Sequence, residues 1–203
     1  MNLINPYRQA SYWFSVDKLS QLPEDSGMEV AFAGRSNSGK SSAINTITQQ
    51  NALARTSKTP GRTQQIIFFR LDDERRLVDL PGYGYAKVSE EVKLKWQHTM
   101  ESYLNQRQCL AGVILTMDIR HPMKAFDEQM VGWCAQVNMP LHILLTKSDK
   151  LKRSAATDAL RTVQQILKNY HSEFSVQMFS SLKKIGVEDA IRVLNHWLQL
   201  DTI

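Results

Sequence analysis

The octapeptide Gly34-Arg35-Ser36-Asn37-Ser38-Gly39-Lys40-Ser41 has the pattern G-x-x-x-x-G-K-[ST]. Its glycines let main-chain N–H groups of a loop and of the following helix start curl round a phosphate. Lys40 brings a positive charge to β and γ phosphate oxygens, and the Ser41 hydroxyl is suited to ligate Mg²⁺. Such a loop does not by itself separate ATP from GTP. The tetrapeptide Thr146-Lys147-Ser148-Asp149 does, because Asp149 can accept two hydrogen bonds from guanine N1–H and N2–H₂ while the Lys147 stem covers the ring. Adenine offers no such donor pair, and a site built round an unpaired carboxylate rejects it.

Three weaker elements complete the set. Asp79-Leu80-Pro81-Gly82 is a D-x-x-G in which the carboxylate would reach Mg²⁺ through water and the Gly82 N–H would donate to a γ-phosphate. The polar segment 51–63 reads as a mobile loop, and within it Thr63 is a better candidate than Thr59 for a magnesium and γ-phosphate ligand because it lies against a strand and follows Gly61. Phe179-Ser180-Ser181 closes the last strand, where main-chain N–H groups can meet guanine O6.

These groups need a scaffold that delivers loops to one edge, and the hydrophobic pattern provides it. Short apolar runs at 29–33, 66–69, 77–78, 112–115 and 141–145, with a weaker one at 174–179, have strand length and composition. Between them, helical spacing appears at Val92, Trp96, Met100 and Tyr103, then at Met123, Phe126, Met130, Cys134 and Val137, then at Leu160, Val163, Leu167 and Tyr170, and finally at Val187, Ala190 or Ile191, Leu194 and Leu198. The Trp and Met residues on these stripes read as core. Ser89 is placed to cap the first of these helices, and Pro122 to occupy a first turn. Alternating strands and helices predict a mainly parallel α/β sheet covered on both faces, with ligands at the carboxyl ends of the strands. The strands at 66–70 and 77–80 are too close for an intervening helix and predict one antiparallel hairpin. Residues 1–26 precede the first of these strands and read as an arm packed on a single domain spanning 1–203.

Composition narrows the class. The 203 residues are 42% hydrophobic and 22% charged, which fits an ordinary globular chain and excludes a disordered one or a disulfide scaffold. No apolar run is long enough to span a membrane, the start Met1-Asn2 carries no myristoylation glycine, the end Asp201-Thr202-Ile203 carries no prenylation cysteine, and a cytoplasmic, membrane-free location is expected. Cys109 and Cys134 form neither a C-x-x-C pair nor a metal cluster. The net charge of +5 favours a polyanionic partner such as RNA.

With these motifs assembled, the chain resembles the bacterial EngB (YihA/YsxC) family, in the Era/EngA-like branch of P-loop GTPases. The resemblance is carried by the phosphate loop, by Thr59-Pro60-Gly61-Arg62-Thr63-Gln64, by Asp79-Leu80-Pro81-Gly82-Tyr83-Gly84-Tyr85-Ala86, by Asp118-Ile119-Arg120-His121-Pro122 and by Thr146-Lys147-Ser148-Asp149. It implies a three-layer G domain with a six-stranded sheet, one strand antiparallel. It further implies a Mg²⁺-dependent GTPase, monomeric in solution, that assists assembly of a large ribosomal subunit precursor of rRNA and ribosomal protein, and whose loss disturbs cell division and septation. The family pattern assigns GTP contacts to residues 34–41, to Gly61, Arg62, Thr63, Gln64 and Gln65, to Asp79, Leu80, Pro81 and Gly82, to Thr146, Lys147, Ser148 and Asp149, and to Phe179, Ser180 and Ser181; Mg²⁺ falls to Ser41 and Thr63, and Lys40 and Thr63 are the catalytic candidates. Some relatives in the branch use the residue at Asn37 to help ligate K⁺. Two departures stand out: Leu182 replaces the lysine of the usual Ser-Ala-Lys element, and Tyr83 stands where Ras-like enzymes have a water-orienting glutamine, so slow intrinsic hydrolysis is expected. Two classes stay open on the sequence, a GTP-hydrolysing switch and a GTP-responsive RNA-binding module whose hydrolysis is incidental. A P-loop ATPase or kinase conflicts with residues 146–149.

Overall fold

The computed structural model describes residues 5–55, 65–83, 90–170 and 173–200, with backbone alone at Glu90, Val92 and Lys93. Among the described residues seven strands form one sheet: β1 (Ser11–Val16), β2 (Met28–Gly34), β3 (Ile66–Arg70), β4 (Arg75–Asp79), β5 (Leu110–Asp118), β6 (Leu141–Thr146) and β7 (Phe174–Met178). The helices are α1 (Lys40–Ile47), α2 (Glu90–Gln106), α3 (Ala125–Gln136), α4 (Arg153–Leu167) and α5 (Val187–Trp197). Strand order is β1-β3-β4-β2-β5-β6-β7. Only β3 runs against its neighbours, as the short 66–79 hairpin requires.

The sheet has seven strands where six were expected, because the arm supplies the seventh. Residues 11–16 pair antiparallel with β3, and the register slips between Tyr12 and Phe14, leaving Trp13 as a bulge residue. A bulged edge strand loses the strict alternation by which strands are recognised in sequence. The Trp13 ring lies beneath two guanidinium groups, Arg76 at 5.6 Å and Arg70 at 5.8 Å.

Alternation along the central strands builds a core on each face. On β2, Ala31 and Ala33 face one layer while Val30 and Phe32 face the other; on β5, Val113, Leu115 and Met117 oppose Ile114. Met100 and Tyr103 of α2, Met130 and Cys134 of α3, and Val163 and Leu167 of α4 cover the first face. Ile44 and Ile47 of α1 and Ala190 and Leu194 of α5 cover the second, together with Tyr7 of the arm. The helical stripes thus bury as their spacing predicts, the side chain of Val92 and the capping residue Ser89 lying outside those described. Pro122 precedes α3 rather than occupying its first turn, because Met123 turns through φ 54° and Lys124 becomes the N-cap. Among the described residues no helix is long and apolar enough to cross a membrane.

Both cysteines are free thiols in the core. Burial pushes the Cys134 thiol up to about 12, and raises Cys109 with help from its neighbour Asp25. Raised thiols stay protonated at pH 8, so neither should react with a disulfide reagent such as Ellman's until the chain is unfolded. Titration before and after adding denaturant checks this; a thiol released without denaturant would contradict the packing.

Beneath the amino ends of β2 and β4 sits a buried charge network. Glu29, fully buried, accepts from Tyr103 Oη (3.0 Å), Arg107 Nε (3.0 Å) and Arg107 Nη2 (2.6 Å), and pairs with Arg76 Nε at 3.3 Å. Arg107 also donates to the Pro23 carbonyl at 2.8 Å, tying the last part of the arm to the end of α2.

Candidate nucleotide site

The carboxyl ends of β2, β4 and β6 bring three of the predicted motifs to one edge of the sheet. Residues 34–39 join β2 to α1, and Gly39 serves as N-cap with φ 94°, a left-handed turn that a side chain would strain. A Cβ on Gly34 would lie 2.2 Å from Thr116 Oγ1, so only glycine permits the loop to leave β2 this tightly. Gly39 has no side chain to cap α1, and among the described residues no side chain takes the N–H groups of its first turn. That cradle, with Ser41 in the first turn, suits a phosphate and its metal.

The loop is pinned from β5 and β6. Thr116 Oγ1 donates to the Ala33 carbonyl at 3.1 Å, so the 2.7 Å contact between Ser38 Oγ and Thr116 Oγ1 has Ser38 as donor. Thr146 Oγ1 bonds the Ser38 carbonyl and lies 3.0 Å from that of Met117. Lys147, held at φ 57°, sends Nζ to the Asn37 carbonyl at 2.7 Å and to Asp118 Oδ2 at 3.0 Å. Asp118 also accepts a two-pronged contact from Arg120, at 2.9 and 2.7 Å. Burial alone would raise the Asp118 carboxyl, but hydrogen bonds from Arg120 and Lys147 outweigh it and hold the group well below the usual carboxylate range. The sequence does not mark Thr116 and Asp118 as supports of the loop: a threonine inside a strand carries no spacing signal, and Asp118 stands out only as part of Asp118-Ile119-Arg120-His121-Pro122.

Asp149 lies beyond β6 and accepts from Ser180 Oγ at 2.6 Å. That hydroxyl holds the Asp149 carboxyl below its ordinary value, so it is ionised at neutral pH. The Ser180 N–H is donated to the Ile185 carbonyl at 3.0 Å, so it is the hydroxyl of this serine that faces Asp149. Phe179 is fully buried, donates its N–H to Leu145 O at 2.8 Å and accepts from Ser148 N at 3.1 Å, fastening the two elements together. Ser148 is buried with no hydrogen-bond partner for its hydroxyl among the described residues. Leu80, like Phe179, puts its side chain in the core, leaving only its main chain to a ligand.

Asp79 ends β4 beside Lys40, and the two side chains form an ion pair. Gly82 rests on the phosphate loop, where a Cβ would be 3.6 Å from the Ser36 nitrogen. Gln65 stands at the foot of β3 with its amide oxygen accepting from Ser15 Oγ of β1 at 3.1 Å. Gly61, Arg62, Thr63 and Gln64 lie outside the described residues.

A family model described as 50S ribosome-binding GTPase matches residues 29–147, more than half of the chain. The chain belongs to that family. Among solved structures, this GTPase is similar to a probable GTP-binding protein engB, at 18% identity and TM-score 0.67, over 85% of this chain and 100% of that one. It is also similar to Era in complex with MgGDPNP and nucleotides 1506-1542 of 16S ribosomal RNA, at 19% identity and TM-score 0.62, over 85% of this chain and 57% of that one. A third is elongation factor SelB from Methanococcus maripaludis with the GTP analogue GPPNHP, at 16% identity and TM-score 0.62, over 88% of this chain and 35% of that one. The chain thus spans about half of the Era chain and a third of SelB, and at these identities the likeness is one of fold.

Proposed function

We propose that this GTPase is a Mg²⁺-dependent GTP/GDP switch in assembly of the large ribosomal subunit, working on a precursor particle of rRNA and ribosomal protein. In this reading it acts in the cytoplasm as a single-domain monomer, and its loss disturbs cell division and septation. The observation that carries the nucleotide part is the convergence of Lys40, Asp79 and Asp149 on one edge of the sheet, the first two already paired and the third hydrogen-bonded by Ser180. The family's ribosome-binding description and the net charge of +5 support the ribosomal part.

In the hydrolytic step a water oxygen bonds to the γ-phosphorus, the bond to the β–γ bridging oxygen breaks, and GDP and phosphate leave. N–H groups of residues 39–41 and the Lys40 ammonium bind the phosphates and stabilise charge on the leaving oxygen. Ser41 and Thr63 would hold the magnesium, with Asp79 behind a water. When bound, the ion would supply charge neutralisation on the phosphate oxygens. Asp149 and Lys147 orient the base, and Ser180 keeps Asp149 aimed. Tyr83 is 3% exposed, so its side chain cannot reach an attacking water, and intrinsic turnover should be slow.

Asn37 is exposed at the crest of the loop with φ 62° and is the candidate K⁺ ligand. Turnover should be several-fold faster in KCl than in matched NaCl, with the gap closing in Asn37→Ala. Equal rates in the two salts would remove K⁺ from the mechanism. The whole reading is tested by sedimenting cell extract with GTP or GDP added: the protein should follow a large-subunit precursor in one nucleotide state and leave it in the other. Migration with free protein in both states would sink the ribosomal part.

A further inference from the structure

The residue after D-x-x-G is fastened on three sides. Tyr83 exchanges main-chain hydrogen bonds with the phosphate loop, its carbonyl accepting from Ser36 N at 2.7 Å and its N–H reaching Gly34 O at 3.4 Å. Its ring packs on Trp96 of α2, centroids 4.7 Å apart, and on Phe126 of α3 at 5.9 Å. Trp96 Nε1 in turn donates to the Pro81 carbonyl at 3.1 Å. The Tyr83 hydroxyl donates to Asp127 Oδ1 at 2.7 Å, inside the core, while Asp127 Oδ2 accepts the Lys124 N–H at 3.0 Å and so caps α3. Asp127 is 1% exposed, and a carboxylate so deep is retained at a cost that helix capping alone could meet at the surface.

We infer that the Tyr83–Asp127 pair is a latch that fixes the D-x-x-G loop on the phosphate loop, making Asp127 a positioning residue for the Gly82 N–H. Gly82 lies between Pro81, held by Trp96, and Tyr83, held by Asp127 as well as by the phosphate loop, so two of the contacts that set the direction of its N–H lie outside the nucleotide site. A hydrogen bond to a charged oxygen weakens steeply when its donor swings away. Freed of the latch, the loop loses its bond to the terminal phosphate while every contact to the α and β phosphates and to the base stays in place. The latch therefore sets the preference for triphosphate over diphosphate rather than nucleotide affinity as a whole. This rests on the nucleotide reading above.

Three variants separate the latch from the cap. Tyr83→Phe removes the hydroxyl and keeps the ring on Trp96; Asp127→Asn keeps an acceptor for Tyr83 and loses the cap; Asp127→Ala loses both. Dissociation constants for GDP and for a non-hydrolysable GTP analogue, with urea unfolding to confirm that each variant folds, give the outcome. Tyr83→Phe and Asp127→Ala should weaken the GTP analogue about tenfold, the worth of one charge-assisted hydrogen bond, and leave GDP within about twofold. Asp127→Asn should keep the parent ratio. A parent-like ratio in Tyr83→Phe, or an Asp127→Asn protein as impaired as Asp127→Ala, overturns the latch. A parent protein that binds neither guanine nucleotide would instead overturn the reading beneath it.

Discussion

Replacing Asp149 by Asn should weaken GTP binding about a hundredfold and strengthen binding of xanthosine triphosphate. Each hydrogen bond to a charged acceptor contributes about 1.5–3 kcal/mol, and the amide can keep only one of the two that guanine offers while turning a donor toward the other. Xanthine carries a carbonyl where guanine has the 2-amino group, so that same donor becomes matched. The substitution should not disturb the fold, since the amide oxygen still accepts from Ser180 Oγ, now 2.6 Å from the carboxylate. Because Ser180 holds the Asp149 carboxyl below its ordinary value, GTP affinity in the parent should stay level as pH falls to the usual carboxylate range and decline only below it. Competition against a fluorescent guanine nucleotide reads both effects. Equal affinity of the parent for GTP and ATP would show that residues 146–149 do not read the base.

The largest effect on stability is expected at the opposite end of the sheet. Arg107→Met should cost about 3–5 kcal/mol, because it leaves the buried Glu29 carboxylate with one guanidinium in place of two. For a chain of this size, roughly 2–4 °C of melting temperature are lost per kcal/mol, so the midpoint should fall by about 10 °C. Burying the charge in the parent is itself expensive, so the figure measures a broken pair and not what the intact pair contributes. Glu29 and Gly34 lie about 17 Å apart along β2 at the rise of an extended strand, so nucleotide affinity should be unchanged at a temperature where the variant is folded. Urea unfolding together with nucleotide titration checks both halves. A loss under about 1 kcal/mol would mean that water reaches Glu29.

What was legible in the sequence follows from what kind of signal each element leaves. The phosphate loop, D-x-x-G and Thr146-Lys147-Ser148-Asp149 are contiguous and chemically unusual, and the central strands announce themselves because both faces are buried. The supports of the site come from distant segments and are ordinary residues: Thr116 and Thr146 bond a residue of the phosphate loop 78 and 108 positions before them, and nothing at their own positions marks the partner. The sequence marks Phe179-Ser180-Ser181 only as a strand end with main-chain donors, and that the Ser180 hydroxyl meets Asp149 depends on how β7 ends beside β6. Tyr83 was legible only as the absence of a glutamine; that its hydroxyl is spent on Asp127 is a property of the packing between the D-x-x-G loop and α3.

The contacts joining the end of β6 to the phosphate loop have acceptors of one kind. Lys147 and Thr146 reach the carbonyls of Asn37 and Ser38, main-chain atoms that every amino acid supplies. The exposed side chain at 37 can therefore be exchanged without removing an acceptor that spaces the base and phosphate halves of the site, whereas Ser38 also spends its hydroxyl on Thr116. The burden of keeping that spacing falls instead on Thr146 and Lys147, where a change of residue type removes the donor itself.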